Sequence, residues 1–278
     1  MGATGIDWAL VDVAVPRQPG RLPGLSMAGF RHRAEAPADI AMVAHPSVTL
    51  IVDLSEGDGI VYDDTHGRRA KGSAFIGLLP GELRAAGTMG DCLQVRLSPV
   101  LAARVFGTSI DLAGTVAALA DVWGSRFEDR LRLAPSWTQR FDIVVDVLAR
   151  RLDNSPAVDP EVAHTWHRTF DSQGRLRIDR LAAETGWSRK RLWSRFRSQL
   201  GVTPKRAAQL VRFDYAAHLL AAGRSPATTA AASGYTDQSH LHREVTAFAK
   251  ATPATLATAP WLAIDDVAWP AVTGHSVA

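Results

Sequence analysis

Two sets of polar side chains, about fifty residues apart, have the types and spacing needed to bind nucleic-acid bases and phosphates. The first set is Arg189, Lys190, Trp193, Ser194 and Arg197, and the second set is Gln238, Ser239, His242 and Arg243. Spacings of three and four residues place each set on one face of a helix. Arginine and glutamine can make paired hydrogen bonds to base edges, and basic or hydroxyl side chains bind phosphate oxygens. We therefore predict two helix faces that contact a nucleic acid.

A repeated sequence pattern determines where these two faces lie. Ala182 stands four residues before Gly186, and Ala230 stands four residues before Gly234. A small residue lets two helices approach closely, and glycine adopts the left-handed turn between them. The pattern continues with Trp187, Ser188, Leu192 and Phe196 in the first copy and with Tyr235, Thr236, Leu241 and Val245 in the second. The hydroxyl suits an N-cap and the apolar pair suits an inner helix face, so each copy predicts a helix-turn-helix unit.

The segment between the two copies predicts one long helix. Pro204 is a suitable first helical residue, and apolar residues continue with helical spacing until Gly223. A helix of roughly eighteen residues is about 27 Å long. It could hold the two polar faces about one DNA turn, roughly 34 Å, apart.

Positive charge is concentrated in the same region. Residues 168–250 contain fifteen Lys or Arg and six Asp or Glu, a net charge of +9. The whole chain carries only +3, so the remainder carries −6. A basic segment of this kind fits a nucleic-acid partner.

With these features in place, the sequence resembles the AraC/XylS family of bacterial transcription regulators over about ninety residues. The residues that carry the resemblance are Ser188, Leu192, Phe196, Gly201, Pro204, Arg212, Ala216, Leu219, Leu220, the run from Gly234 to Leu241, Phe248, Thr252 and Pro253. Two positions depart from the family pattern. Val245 stands where the family usually has Phe, and Lys250 stands where it has Gly. Both departures fall at or behind the second polar face, where they could loosen that unit.

The resemblance implies a transcription regulator, activator or repressor, that binds double-stranded promoter DNA. The competing hypothesis is an enzyme with a catalytic N-terminal barrel, but the sequence lacks a metal set, a recognisable nucleophile and base, and a phosphate-binding Gly loop, so we expect that the protein is not an enzyme. With no signal peptide or membrane span in the sequence, we expect the protein to be cytoplasmic. The resemblance also implies that Lys190, Trp193 and Ser194 point towards bases and that Arg189 and Arg197 lie nearer phosphates. A small-molecule effector bound in the N-terminal domain is the family's usual form of control. The alternative is a regulator controlled by protein–protein contact without a small ligand, and RNA polymerase is a further partner to consider.

The fold class predicted for the chain is α+β. Residues 1–105 contain short apolar runs of strand length separated by Gly, Pro and Asp turns. The runs are Ile40–His45, Val48–Leu54, Gly59–Tyr62, Ala74–Leu79 and Leu93–Leu97. Their spacing predicts a small antiparallel β barrel or sandwich. The family resemblance favours a cupin-like barrel at this position.

Six residues of this β-rich part are candidates for lining a ligand pocket, because aromatic and a few polar side chains form most small-molecule sites. They are Trp8, Phe30, Tyr62, Phe75, Gln94 and Arg96. The alternative is that the aromatic residues belong to the core and that Arg96 pairs with an acidic neighbour.

The sequence predicts no metal site and no cofactor. Cys92 is the only cysteine, which excludes an intramolecular disulfide and a zinc site built from several thiolates. A cupin metal set usually begins with two histidines one residue apart on a strand, and that pair is absent. His32 stands between Arg31 and Arg33, whose charges disfavour a nearby cation.

From about Val100 the apolar spacing becomes helical. One helical row is predicted at Leu112, Val116, Leu119, Val122 and Trp123, and a second at Trp137, Phe141, Val144 and Leu148 after Pro135. This hairpin could pack on the barrel or form a homodimer through residues 106–152. The predicted divisions are 1–105 for the β-rich sensor domain, 106–157 for the helical hairpin and linker, 158–262 for the DNA-binding domain and 263–278 for the tail. No apolar stretch approaches the roughly twenty residues of a membrane span, so no membrane partner is expected.

Overall fold

The computed structural model describes residues 8–18, 21–33, 36–55, 59–64, 67, 69–79, 83–107, 111–259, 262 and 264–269. A short 3-10 helix at Trp8–Leu10 precedes the first strand. The strands are β1 (Val11–Ala14), β2 (Leu25–His32), β3 (Ala36–Met42), β4 (Val48–Asp53), β5 (Ile60–Asp64), β6 (Arg69–Lys71), β7 (Ala74–Ile76), β8 (Leu83–Met89), β9 (Cys92–Leu97) and β10 (Val116–Ala118).

These strands form two antiparallel sheets. One has six strands in the order β1-β2-β9-β4-β7-β10, and the other has four in the order β3-β8-β5-β6. Among the described residues no strand pairing joins the two sheets, so the predicted barrel is corrected to a pair of open sheets. The alternating pattern could not decide this point, because it specifies which side of a strand is buried and not which edge strands pair.

The six-stranded sheet is buried on both faces. Leu50 and Val52 of β4 belong to the main core together with residues of the helices, whereas Ile51 packs with Tyr62 of the second sheet. Consecutive side chains of a strand point to opposite faces, which explains this division. The same strands therefore supply residues both to the space between the two sheets and to the core beneath the helices.

Four helices follow or interrupt the sheets. They are α1 (Pro99–Phe106), α2 (Leu119–Trp123), α3 (Ser125–Leu133) and α4 (Trp137–Asp153). The predicted helical row was wrong at its start, because Leu112 lies in a turn and Val116 begins β10, which pairs with Phe75 and its neighbours in β7. The second row was correct in α4, where Phe141, Val144 and Leu148 are buried in the main core. The inner face of α4 therefore packs within this chain.

The C-terminal part is helical. Its elements are α5 (Pro160–Asp171), α6 (Ile178–Thr185), α7 (Arg189–Leu200), α8 (Pro204–Ala221), α9 (Pro226–Ala232), α10 (Gln238–Ala249), α11 (Pro253–Ala257) and α12 (Asp265–Ala268). Helix α8 has the eighteen residues expected from the sequence. Within the described part of the chain, no helix is both long enough and apolar enough to cross a membrane.

Candidate nucleic-acid interface and interdomain cavity

The first helix-turn-helix unit consists of α6 and α7. Gly186 ends α6 with a φ of 68°, and the Ser188 hydroxyl accepts a hydrogen bond from the Arg191 backbone N–H at 3.2 Å. Leu192 and Phe196 are fully buried beneath α7. The five predicted contact residues, Arg189, Lys190, Trp193, Ser194 and Arg197, are all exposed on the opposite side. The unit thus presents one continuous polar face, as α-helical spacing requires.

Two contacts shape that face before any partner binds. The Arg197 guanidinium lies 5.2 Å from the Trp193 ring centroid, a cation–π contact that keeps both side chains on the same patch. Arg189 donates a hydrogen bond to Asp179 at 3.0 Å, and both of these side chains are largely exposed. An exposed ion pair is weak, so Arg189 can exchange this carboxylate for a phosphate at small cost.

A second ion cluster fastens the first unit to α5. Glu184 of α6 accepts hydrogen bonds from Arg168, His164 and Arg180. The hydrogen bond from Arg168, with that from His164, lowers the pKa of Glu184 to about 2. The carboxylate is therefore ionised throughout the neutral range and holds α6 against α5 without occupying the polar face of α7.

The second unit consists of α9 and α10. Tyr235 and Leu241 are buried, whereas Gln238, Ser239, His242 and Arg243 are all exposed on the outer side of α10. The N-cap is Asp237, whose carboxylate accepts a hydrogen bond from the His240 backbone N–H at 2.7 Å. Thr236, whose hydroxyl was expected to cap this helix, lies one residue before the N-cap. Asp237 takes the role instead, because aspartate caps a helix as well as a hydroxyl residue does.

A buried ion pair, which the sequence did not lead us to expect, fixes α10 on α8. Arg212 donates to Glu244 at 2.8 Å, and the side chains are 17% and 5% exposed. Gln209 and the Tyr235 hydroxyl also donate to this carboxylate, at 3.3 and 2.9 Å. Burial raises the pKa of the Tyr235 hydroxyl. The carboxylate has enough donors to offset its desolvation, and the helix that carries Arg243 is thereby anchored.

Both departures from the family pattern are accommodated locally. Val245 is fully buried and packs in the same core as Leu241 and Phe248. Lys250 ends α10 in the left-handed conformation, with a φ of 54°, as Gly201 does after α7 with a φ of 76°. A lysine in this conformation is strained by contact between its Cβ and the backbone, which glycine avoids.

A cavity of about 580 Å³ lies between the N-terminal sheet and the helices and is named here the interdomain cavity. Its walls include Met27, Phe141, Val145, Trp166 and Phe170, and its polar lining includes Arg17, His45, Arg96 and His167. Apolar walls with a few polar groups are typical of small-molecule sites. Asp142 also lines the cavity and pairs with Arg21 at 2.6 Å, and Arg96 pairs with Asp265 at 3.1 Å.

A smaller cavity of about 160 Å³ lies between the two sheets and is named here the sheet cavity. Five predicted pocket residues line it: Trp8, Phe30, Tyr62, Gln94 and Arg96. Phe75 lies elsewhere, fully buried and packed edge-to-face on Phe106 at 5.1 Å. Arg96 lines both cavities and pairs with Asp265 at 3.1 Å, which agrees with the alternative that this arginine has an acidic partner.

The polar group between the cavities joins the two halves of the chain. Arg96 comes from β9 and His45 from the loop between β3 and β4, Asp214 and His218 come from α8, and Asp265 comes from α12. Burial lowers the pKa of His218, but the carboxylates of Asp214 and Asp265 outweigh it and raise the pKa to about 9. Burial and the Arg96 charge hold the pKa of His45 well below its usual range. Sequence reasoning missed this cluster because its members lie up to 220 residues apart.

Metal ligation has no support in the geometry of the described residues. Within those ranges, no group of three or more His, Cys, Asp or Glu side chains is placed to hold a metal ion. Burial raises the pKa of the Cys92 thiol to about 12, so this side chain is a neutral thiol at physiological pH.

Comparison with known proteins agrees with this geometry. A family model described as a helix-turn-helix domain matches residues 181–259. The uncharacterized HTH-type transcriptional regulator YbfI of Bacillus subtilis strain 168 is 36% identical over 64 residues. That match spans 23% of this chain and 23% of the relative, so less than a quarter of either protein is compared.

Two solved structures of ToxT from Vibrio cholerae have a related architecture. For the first, solved at 1.65 Å resolution, the aligned region covers 87% of the present chain and 98% of the ToxT chain, with 11% identity and a TM-score of 0.50. For the second, ToxT with an unsaturated fatty acid bound, the aligned region covers 87% of the present chain and 98% of the ToxT chain, with 10% identity and a TM-score of 0.47. The first likeness concerns the fold alone. The match to the family model makes residues 181–259 a helix-turn-helix domain, and this is the segment that carries the resemblance to the AraC/XylS family.

Proposed function

We propose that the protein is a sequence-specific transcription regulator in which α7 and α10 enter successive major-groove segments on one face of promoter DNA. The observation that carries this proposal is the pair of exposed polar faces at the two ends of α8, each backed by a buried apolar row. An eighteen-residue helix rises about 27 Å along its axis, which is compatible with contacts one DNA turn apart once helix width is added.

The contact residues divide into two kinds. In α7, Lys190, Trp193 and Ser194 lie towards bases, and Arg189 and Arg197 lie nearer phosphates. In α10, Arg243 binds a guanine through two hydrogen bonds and Gln238 binds an adenine in the same way. Each such pair discriminates against the wrong base by roughly 1–3 kcal/mol. Ser239 and His242 complete the second face. The buried Arg212–Glu244 pair supports this assignment, because it fixes the helix that carries Arg243.

Control by a small molecule is the second part of the proposal. The interdomain cavity is large enough for a ligand of drug-like size and touches both the N-terminal sheet and α5 of the helical part. A ligand bound there would change contacts between the two halves of the chain. The inner face of α4 packs within this chain, so a homodimer through residues 106–152 would have to use the outer faces of these helices.

The remaining partners follow from the proposed activity. A regulator of promoters acts where the DNA is, so we place the protein in the cytoplasm. Contact with RNA polymerase would account for activation, and an operator that overlaps a promoter would account for repression. Control by protein–protein contact alone is the competing form of regulation, and it predicts that no ligand of the interdomain cavity changes DNA binding.

Selection of bound sequences from a random DNA pool, at two salt concentrations, tests the proposed function. Two short enriched blocks about one helical turn apart are expected, and they should persist when salt is raised, since base contacts carry the sequence preference. Binding that is steeply salt-dependent and enriches no sequence would contradict sequence-specific recognition, because phosphate contacts alone behave in that way.

A further inference from the structure

The C-terminal segment that ends at Trp269 is packed between the two halves of the chain, although it belongs to neither set of polar contacts with DNA. Its residues 264–269 include the short helix α12, and this stretch is named here the C-terminal strap. Asp265, Ala268 and Trp269 are all buried, whereas Val267 is 56% exposed. Ala268 and Trp269 pack with Val11 and Phe30 of the N-terminal sheet. The strap is therefore docked on the sensor half by one face.

One carboxylate of the strap binds both halves of the protein. Asp265 accepts a hydrogen bond from Arg96 of β9 at 3.1 Å and contacts His218 of α8 at 3.2 Å. Its side chain is 4% exposed. The other imidazole nitrogen of His218 lies 2.8 Å from the Asp214 carbonyl oxygen, so both ring nitrogens face acceptors, as an imidazolium requires. Asp265 is the anion that neutralises two cations from different domains.

The Trp269 indole of the strap packs against Arg96, the same arginine that Asp265 binds. The Arg96 guanidinium lies 4.0 Å from the centroid of the Trp269 ring, a close cation–π contact. Trp269, Arg96, His45 and Ser47 line both the interdomain cavity and the sheet cavity. Trp269 is thus part of the wall between two cavities of about 580 and 160 Å³. If the strap moved away, the two cavities would open to each other at Arg96.

We propose that the C-terminal strap is an internal ligand and that an external aromatic carboxylic acid competes with it for Arg96 and His218. The acid supplies the two groups that the strap supplies, a carboxylate and a flat aromatic ring. Its binding releases Asp265 and so removes the Arg96–Asp265–His218 link between β9 and α8, while the contact of His45 with Asp214 remains. This inference rests on the proposed role of the interdomain cavity as the effector site.

Electrostatics determines the class of competitor. When Asp265 leaves, Arg96 loses its carboxylate partner and keeps the contact with His45 at 3.3 Å, whereas His218 keeps Asp214 at 3.9 Å. Two buried cations require an anion in their vicinity, since desolvated charge without a partner is costly. A neutral molecule of the same shape cannot replace the strap, whereas a carboxylate can. The Arg96–Trp269 stack further favours an aromatic body over an aliphatic one.

The first test uses the unmodified full chain with indole-3-propionate as the probe and neutral indole-3-propanamide as its match. Hydrogen exchange is measured at residues 264–269, where the Trp269 N–H donates to the Asp265 carbonyl at 2.8 Å and the Ala268 N–H to the Ile264 carbonyl at 2.9 Å. The acid at saturation should accelerate exchange at these amides by about tenfold or more, because the strap is released. The propanamide should leave exchange unchanged. Failure of the acid to bind at millimolar concentration, or binding with unchanged exchange, would overturn the proposal.

The second test compares W269A with V267A by calorimetric titration of the same two probes. Trp269 holds the strap in the site, whereas Val267 lies on the exposed side of α12 and serves as the matched control. The apparent Kd of a ligand that needs an open site equals its intrinsic Kd divided by the fraction of molecules whose site is open. Because W269A should open the site, it should bind the acid about tenfold more tightly than V267A does. Equal affinity in the two folded variants would contradict the internal-ligand model. If W269A does not fold, the exchange experiment decides.

Operator binding separates this inference from the proposed function. The wild-type chain without probe should bind its selected DNA whether or not the strap can be displaced. Loss of the exchange effect with retained operator binding would refute the internal ligand alone. Absence of any sequence-specific DNA binding would refute the proposed function, and the exchange result would still report on the strap.

Discussion

Arg212 and Glu244 form a buried, multiply hydrogen-bonded ion pair between α8 and α10, with the closest nitrogen and oxygen 2.8 Å apart. Leu241 and Val245 of α10 are fully buried, so apolar contacts also hold this helix. The ion pair adds direction, because a guanidinium donates its N–H groups to a carboxylate only in its own plane. The orientation of the exposed face that carries Arg243 therefore depends on two residues that lie outside that face.

Removing one partner of this pair should cost more stability than removing both. Glu244→Ala leaves the Arg212 guanidinium buried without its carboxylate and should lower the free energy of unfolding by about 3 kcal/mol. The double variant R212M/E244M replaces both charges with apolar side chains and should recover much of that loss. Urea unfolding of the three proteins measures the difference. A double variant less stable than E244A would argue against this account of the pair.

Arg243 should read a base and not only a phosphate. Arg243→Ala should leave the fold intact and relax the sequence preference at one position of the second half-site, at a cost of roughly 1–3 kcal/mol on the preferred DNA. Binding titrations on operators that differ at each position measure this. An equal loss of affinity on every DNA sequence would show that the side chain binds the backbone.

Arg197 should behave in the opposite way and so provides the matched comparison. Arg197→Ala should weaken binding to all sequences alike and reduce the slope of log K against log salt by about 1, as expected for one lost phosphate contact. The same titrations at a series of salt concentrations give both quantities. A change confined to one base position would assign Arg197 to the bases instead.

Lys250 offers a site for stabilisation without change of fold. Its left-handed backbone, with a φ of 54°, strains a lysine, and glycine is free of that strain but loses more entropy on folding. The net effect of Lys250→Gly should be a gain of about 0.5–1 kcal/mol in the free energy of unfolding. Thermal unfolding followed by circular dichroism tests it, with Lys205→Gly in α8 as a control that should be destabilised. Destabilisation by K250G would show that other contacts of Lys250 outweigh the strain.

Stability should decline between pH 6.5 and 9 because of His218. The pKa of His218 is raised from 6.5 to about 9 by Asp214 and Asp265, in spite of burial, so its contribution is complete below pH 6.5 and lost as the pH rises through 9. The contribution is up to about 3 kcal/mol. His45 acts oppositely, because its lowered pKa makes stability fall below pH 6.5. Burial raises the pKa of Asp265, but the Arg96 charge and the hydrogen bond from His218 outweigh it and lower the pKa to about 2, so the contribution of Asp265 is lost only as the pH falls from 3.8 through 2.

The measurement is the free energy of unfolding of the wild type and of His218→Gln from pH 5 to pH 10. The wild type should be most stable near pH 6.5 and the variant should lose the decline above that value. Parallel curves for the two proteins above pH 6.5 would exclude His218 as the group that titrates.

The DNA-binding domain was largely predictable because its signals are local. Gly186, Ser188 and the row from Leu192 to Phe196 specify a turn, a cap and a buried face within eleven residues, and each lies where the pattern indicates. The length of α8 followed from Pro204 and Gly223 in the same way. The cap of α10 moved by one residue because Asp237 competes with Thr236 for the same role.

The N-terminal half was harder to predict for physical reasons. Strands β2 and β8 contain small residues and glycine, as in Ala85-Ala86-Gly87, so they lack the apolar alternation that marks a strand. Val116 joins β10 because the edge of β7 offers hydrogen-bond partners, which its own neighbours in sequence do not reveal. The contact of Asp265 with Arg96 spans 169 residues and is likewise a product of tertiary packing.

The most direct test of the central claim is a hydroxyl-radical and methylation-protection footprint of the full chain on its selected operator. We expect two protected major-groove segments about one helical turn apart on the same face of the DNA, with methylation protection lost at one position of one segment in R243A and at one position of the other in a variant of Lys190. A single protected segment, unaffected by substitution in α10, would show that the second unit does not enter the groove and would contradict the account.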